Sequence, residues 1–423
     1  MSCCGSQKSC CPPSSSSPME NTPKQTTASC CSTNNQSSSS SSDNHNLISE
    51  NTTGVSYTNS NAVYESVKEY YGKVLSTTKD LKTSACTSSG APHPIMKALL
   101  AKIPDEVLSK YYGCGSPLPL AGISGLTVLD LGCGSGRDVY LASMLCGKGG
   151  KAIGVDMTDE QLQVARDNVV KLQENFGADN LATLEFKKGF IEDLKGAGIE
   201  ENSVDIVISN CVVNLSPDKA SVLKGVYNSL RFGGEFVFSD VYCDRRLPSD
   251  VRSHELLFGE CIAGALYTND FLALCKKVGF DDPRELTRSE IVIHDLKLKE
   301  ILGNAKFYSI TYRLFKLNDL EPQCEDYGQI AIYRGGSEVD HVYKHAYTLD
   351  AGHVFERNRP VLVCGNTASM LSKPSWLGPY FQIIGDMSTH YGAFDCSKGP
   401  STSQQPSTAN SCSPSSCSGS SCC

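Results

Sequence analysis

"VLDLGCGSGRD", residues 128–138, decides the fold. An apolar run of strand length stops at glycines spaced G-x-G-x-G, and "RDVYLASMLC" (137–146) continues with helical spacing. Glycine belongs at such a strand-to-helix turn because any Cβ would collide with a ligand lying against the backbone. Dinucleotide-binding loops read G-x-G-x-x-G and seat a pyrophosphate on the helix N-terminus. The register here differs, and Asp130 precedes Gly132 by two residues. A carboxylate at that place repels a pyrophosphate and suits a ligand carrying an ammonium group. A NAD-type Rossmann domain remains the bland alternative.

Working outward, strands and helices alternate. "KAIGVDM" (151–157), "TLEFKKG" (183–189), "VDIVISN" (204–210) and "GEFVFSDVY" (234–242) read as further strands. The helices between or after them are 158–177, with Thr158 and Gln161 as a capping box, then 218–230 and 269–280. Strands separated by helices predict a parallel sheet wound on both faces, with its ligand crevice at the carboxyl ends of the strands. Before this unit, 62–76 and 105–115 look helical; after it, 291–335 carries mixed signals that include "ITYRLFKL" and "GQIAIYRG". Beyond residue 336 only "RPVLVCG" (359–365) reads as a strand. The expected organisation is a tail over 1–60, a donor-binding domain over 61–290, a smaller α+β domain over 291–396 and a tail over 397–423.

With 423 residues the chain can bury a sizeable core, and its net charge of −8 offers no basic field for nucleic acid or an anionic membrane. No run is long enough to span a bilayer and no signal peptide is evident, so a soluble, cytoplasmic protein is expected. The 21 cysteines are an odd number, which with no export signal favours reduced thiols, soft-metal binding or redox chemistry over a disulfide scaffold. Both tails are Ser-rich, with adjacent pairs such as Cys3-Cys4, Cys30-Cys31 and Cys422-Cys423. Tracts of this composition bury too little apolar area to offset ordering and are expected to be disordered.

The strand ends supply the ligand's other contacts. Asp156 ends the second strand and can accept from two ribose hydroxyls, and Glu192-Asp193 after the third can accept from an adenine amino group. An ammonium, a ribose and an adenine together describe S-adenosylmethionine, and here the sequence resembles the class I S-adenosylmethionine-dependent methyltransferases. The place where nucleobase amino-methylating enzymes carry D/N-P-P-Y/F holds "SNCVV", and no His or Asp stands ready as a base. A cysteine stands there instead. Cys114, Cys211 and Cys261 all fall in segments that cap the carboxyl edge of the sheet, and three thiolates make a cage for a thiophilic ion. Trivalent arsenic fits better than zinc, because it keeps a lone pair that can attack a sulfonium methyl and has no proton to lose.

"YYGKVL", "LKTSACT", "YYGCG", "LDLGCGSGRD", "GVDMT", "SNCVVNLSPDK", "GECIAGALY" and "CEDYGQ" together resemble the arsenite methyltransferase family over about residues 64–335. The resemblance implies trivalent arsenic on Cys114, Cys211 and Cys261, and Cys86 in the disulfide exchange that returns arsenic to the trivalent state. It implies arsenite and methylarsenite as substrates, methyl- and dimethyl-arsenicals as products, and thioredoxin or glutathione as reductant. It also implies donor contacts at Tyr112, Asp130, Gly132, Asp156, Met157, Ile191, Glu192 and Asn210, beside Gly134 and Gly136 of the loop. The paired-cysteine tails and residues 336–396 lie outside the matching pattern. Cys146, Cys243, Cys275, Cys364 and Cys396 read as small buried hydrophobes, Cys324 as structural, Cys133 as filling a small space, and His93 as part of a surface turn. Two other readings compete: methylation of an organic molecule with structural cysteines, and a thiol-rich protein that sequesters soft metals.

Overall fold

A computed structural model describes residues 64–65, 67–68, 92–111, 113 and 117–396. The expected tails, 1–60 and 397–423, lie outside the described residues. The first strand, β1 (Thr127–Leu131), is followed by β2 (Lys151–Asp156), β3 (Thr183–Lys188), β4 (Val204–Asn210) and β5 (Leu230–Cys243). The short β6 (Leu266–Tyr267) and the strands β7 (Arg284–Ile291) and β8 (Phe307–Phe315) complete one sheet. Its order is β3-β2-β1-β4-β5-β8-β7, with β6 paired along β5. From β3 to β5 all neighbours are parallel, whereas β8 runs antiparallel to both β5 and β7. The expected α/β architecture is present, and its parallel-dominated sheet is the Rossmann-like one.

The chain winds outward from β1 through β2 to β3, then returns to place β4 on the other side of β1. This reversal opens the crevice of such folds. Register fixes what faces it. Leu131 pairs with Val155 on β2 and with Ser209 on β4, so Gly132, Asp156 and Asn210 emerge at one edge. β1 and β4 carry Val, Leu and Ile buried on both sides, as strands covered on two faces must. Behind the crevice Phe236 stacks on Phe238 at 4.2 Å, and Phe271 packs against Tyr242 and Tyr312. Such ring pairs add about 0.5–1.5 kcal/mol each beyond their buried area.

Three local expectations change. The helix expected over 158–177 is two helices, Asp159–Asp167 and Val169–Phe176, and Thr158 makes no side-chain capping bond to the first turn. The break falls at Asn168, whose side-chain amide donates to the Val164 carbonyl at 2.9 Å and to Glu106 at 3.2 Å; a side chain that bonds four residues back competes with the helix ladder. The backbone N–H of Thr158 instead donates to Asp156. The main sheet also runs past residue 290, because β8 pairs with β5 from Glu235↔Phe315 to Cys243↔Phe307.

The weakly patterned stretch after 320 is well structured. β9 (Glu325–Asp326) and β10 (Gln329–Tyr333) are followed by β11 (Ala346–Asp350), β12 (His353–Glu356), β13 (Pro360–Val363), β14 (Phe381–Ile384) and β15 (Gly392–Ala393). β10 lies between β13 and β14, β11 pairs with β12, and β9 pairs with β15, all antiparallel. A buried clamp fastens this part to the large sheet. Arg313 of β8 donates to both carboxylate oxygens of Glu235 on β5, to Tyr347 and to the Leu349 carbonyl, and the Trp376 indole N–H donates to Glu235 at 2.9 Å. All described residues belong to a single compact unit within Thr52–Cys423. Among them, no helix is long and apolar enough to cross a membrane.

Candidate active site

The crevice at the ends of β1, β2 and β4 is lined by Asp130, Gly132, Gly134, Asp156, Met157, Ile191, Glu192, Asn210 and Cys211, all singled out from the sequence. Tyr64, Tyr111 and Ser216 line it too. Gly132 is required by shape. Its φ is +63, and a Cβ there would sit 2.4 Å from Val212, which follows Cys211. The glycine loop is then tied to β2, because the Gly134 N–H donates to Asp156 at 2.9 Å. Gly136 does not line the crevice. It starts the helix Arg137–Cys146 from behind, at φ +89, where a Cβ would crowd Ala165 and Phe186.

Electrostatics favour a cationic ligand. Asp130, Asp138 and Asp156 are all buried at the base of the crevice, and Arg137 pairs with Asp138 at 2.8 Å while its guanidinium stacks on the Tyr111 ring at 3.3 Å. Burial, with Asp138 and Asp156 nearby, pushes the Asp130 carboxyl well up. Burial also pushes Asp156 up, against the backbone N–H groups of Thr158 and Gly134. A buried carboxylate short of positive charge is what an incoming ammonium or sulfonium relieves. The donor inferred from the strand ends therefore suits the residues present. The acidic pair after β3 divides: Glu192 faces the crevice and accepts from the Ser216 hydroxyl, whereas Asp193 is exposed and closes a turn onto the Gly196 N–H.

Cys211 sits at the crevice because β4 ends there, and its backbone is left-handed at φ +55. Cys261, directly behind it, is also left-handed at φ +62. For non-glycine residues such conformations cost about 1–3 kcal/mol and persist where surrounding structure enforces them. Here the enforcement is visible. The Cys261 thiol donates to the Cys211 carbonyl at 3.2 Å, and Gly264 packs so closely that a Cβ would meet the Asn214 carbonyl at 2.1 Å. Asn214 is itself fixed, its N–H donating to Asp240 and its amide to the Val241 carbonyl. The loop "SNCVVNLSPDK" is thus built to present its thiol, and the loop "GECIAGALY" is locked against it.

Cys261 does not line the crevice; it is fully buried against Val67, Leu215 and Val251. Cys211 is disulfide-bonded, whereas Cys133, Cys146, Cys243, Cys275, Cys324, Cys364 and Cys396 are free. Cys86, Tyr112 and Cys114 lie outside the described residues. The flanking Tyr111 and Gly113 close on Asn210, whose amide bonds the Tyr111 hydroxyl. Sequence reading assigned no role to Lys219, whose ammonium donates to the carbonyls of Asn214 and Ser216, or to Asp240 beneath them. Burial brings Lys219 down to about 8 and lifts Asp240 to about 6. "SPDK" gave no hint, because both roles depend on how two loops fold together. Cys133 fills the small space expected, against Gly154. His93 is more than a turn residue: its ring nitrogen caps the helix Pro94–Leu100 by accepting from the Ile95 N–H.

Comparison with known proteins gives a consistent picture. A family model for a methyltransferase domain matches residues 123–289. An arsenite methyltransferase of Aquipseudomonas alcaligenes is 50% identical over 333 residues, covering 79% of this chain and 94% of that protein. The arsenite methyltransferase of Homo sapiens is 39% identical, covering 73% of this chain and 80% of the relative. Among solved structures, an arsenic(III) S-adenosylmethionine methyltransferase from Chlamydomonas reinhardtii is 54% identical with a TM-score of 0.68, covering 72% of this chain and all of that one.

Proposed function

The chain belongs to the arsenite methyltransferase family, moving methyl groups from S-adenosylmethionine to trivalent arsenic, and we propose that Cys114, Cys211 and Cys261 hold the arsenic over the donor. The observation that carries this reading is Cys211, left-handed at an acidic donor crevice, with a second left-handed cysteine, Cys261, locked behind it through the Cys211 carbonyl. Packing alone gives no reason to hold two thiols in a backbone that glycine would adopt more cheaply.

The donor, when bound, supplies an electrophilic methyl that the arsenic lone pair takes, forming an As–C bond as the C–S bond breaks. The residues of the chain hold the partners in place. Asp130 would hold the ammonium group, Asp156 the ribose hydroxyls, and Met157, Ile191 and Glu192 the adenine, with Tyr112 and Asn210 as further donor contacts. Gly134 leaves its backbone open to the donor, and Gly132 and Gly136 set the turn. No general base is needed, because arsenic loses no proton in the step.

Methyl transfer leaves arsenic formally pentavalent, so two electrons must return before the next cycle. Two thiols supply them and become a disulfide, which is the role assigned to Cys86 in exchange with the arsenic-binding cysteines. A thiol reductant, thioredoxin or glutathione, then resets it, placing the enzyme in the reducing cytoplasm. Cys86→Ser tests this part. It is expected to lose turnover on arsenite yet still methylate a thiol-bound monomethyl substrate, and equal loss on both substrates overturns the redox role.

A further inference from the structure

Three cysteines that pattern alone leaves as unrelated packing residues meet in the C-terminal part of the molecule. The Sγ atoms of Cys324, Cys364 and Cys396 all lie within 4.8 Å of one another. Their convergence is built. Cys324 leads into β9 and Cys396 follows β15; these strands pair Gly392↔Asp326 and Ala393↔Glu325, and the Phe394 N–H donates to the Cys324 carbonyl at 2.8 Å. Cys364 arrives from the end of β13. None of the three lines the donor crevice.

The cluster runs from the interior out to solvent. Cys364 is buried, Cys324 half-buried and Cys396 exposed. The Cys364 sulfur lies 3.3 Å from the Thr367 hydroxyl and 3.9 Å from the Arg284 guanidinium, which Asp282 and Asp350 hold in place. Packing does not account for the trio, since an exposed thiol and a half-buried one hide little apolar area.

We propose that Cys324, Cys364 and Cys396 form a second site, separate from the methylation site, that binds one trivalent arsenic atom through three sulfurs. The identity of the metalloid rests on the functional reading above. Among the described residues no fourth Cys, His, Asp or Glu joins the cluster, whereas a structural zinc site uses four protein ligands. Trivalent arsenic needs three and keeps its lone pair on the open side. Each As–O bond of arsenous acid is exchanged for an As–S bond, and each thiol proton leaves with a hydroxyl as water. Three waters are released, arsenic stays trivalent, and no oxidant or donor is consumed.

The test uses full-length, reduced protein in which the cysteines of 1–60 and 397–423 are serine. Bound arsenic per chain is measured after incubation with arsenite and desalting, alongside arsenite methylation. Cys364→Ser, and separately Cys324→Ser with Cys396→Ser, are each expected to lose one bound arsenic per chain while saturated turnover stays within about twofold. Cys396→Ser alone, at an exposed position that leaves folding intact, is expected to weaken arsenite binding at this site by about tenfold or more. Unchanged arsenic content in all of these variants overturns the site, as does zinc that fills the trio and resists displacement by arsenite. A parent that binds arsenic at the trio but methylates none counts against the functional reading and leaves this site standing.

Discussion

Among the described residues, two groups of cysteines are constructed in opposite ways. Cys211 at the donor crevice and Cys261 buried behind it sit on left-handed backbone, the Cys261 thiol bonded to the Cys211 carbonyl, and Cys211 is disulfide-bonded. In the C-terminal part, Cys364 has an ordinary extended backbone after β13, and Cys324 and Cys396 flank the β9–β15 ribbon beside it. On the proposed function, strain belongs where a sulfur would face a reacting carbon, whereas a site that only holds its ligand would need nearby sulfurs and no particular direction.

The two regions are joined by the Arg313–Glu235 clamp, whose side chains are 3% and 0% exposed. Breaking it probes whether the comparison concerns one folded body. Glu235→Ala strands a buried guanidinium and is expected to cost about 3–5 kcal/mol in chemical denaturation. A loss under about 1 kcal/mol would mean that Tyr347 and the Leu349 carbonyl suffice to hold Arg313.

The functional contrast is sharpened next. Cys211→Ser is expected to reduce arsenite methylation by more than about 100-fold, beyond the cost typical of a supporting residue, with donor affinity changed less than about twofold. Because Cys211 is disulfide-bonded, arsenite binding at the crevice should also require prior reduction, measurable as arsenic retained with and without a thiol reductant. Equal retention in both conditions breaks the distinction between a redox-gated site and an open one.

Asp130 tests the donor side. Asp130→Asn is expected to weaken donor binding by about tenfold or more, the equivalent of about 1.4 kcal/mol, in calorimetric titration. In the donor-free protein the same change should raise thermal stability. The folded-state carboxyl is lifted above its unfolded value, so its charged form costs stability at every pH above that raised value. Donor affinity should fall as pH drops through the raised Asp130 value, because protonation removes the ammonium's partner. An affinity independent of acid pH would remove Asp130 from that role.

The smallest effect concerns the loop that presents Cys211. Asp218 caps the helix Lys219–Ser229, accepting from the Ser221 N–H at 3.0 Å. Asp218→Ala should lower stability by about 1 kcal/mol with little change in turnover. A large loss of turnover at normal stability would show that the helix start also aims the thiol.

What was legible in the sequence follows the same division. The glycine register, Asp130 and Asp156 could be read because strand, turn and helix are contiguous and each residue's task is local. Cys211 could be placed at the crevice because strand ends map to one edge of a parallel sheet, whereas Cys261 comes to lie behind it rather than in the lining. The capping box failed because Thr158 and Gln161 are drawn to the crevice side of β2, and Asn168 breaks the helix with its own amide. β7 escaped because "RELTRSEI" is an edge strand exposed through its middle, with no alternation to betray it. The C-terminal strands escaped because their partners are distant: β10 pairs with Pro360–Val363 and with Phe381–Ile384. The thiol trio was hidden for the same reason, since 324, 364 and 396 share no motif spacing and meet only through β9, β13 and β15.

The most direct test of the central claim is arsenic X-ray absorption on reduced protein in which the C-terminal trio, the tail cysteines and Cys133, which also lines the crevice, are replaced by serine. The account predicts a first shell of sulfur alone that loses one sulfur neighbour on Cys261→Ser. An oxygen-bound arsenic, or a sulfur shell that Cys211→Ser and Cys261→Ser both leave unchanged, would contradict it.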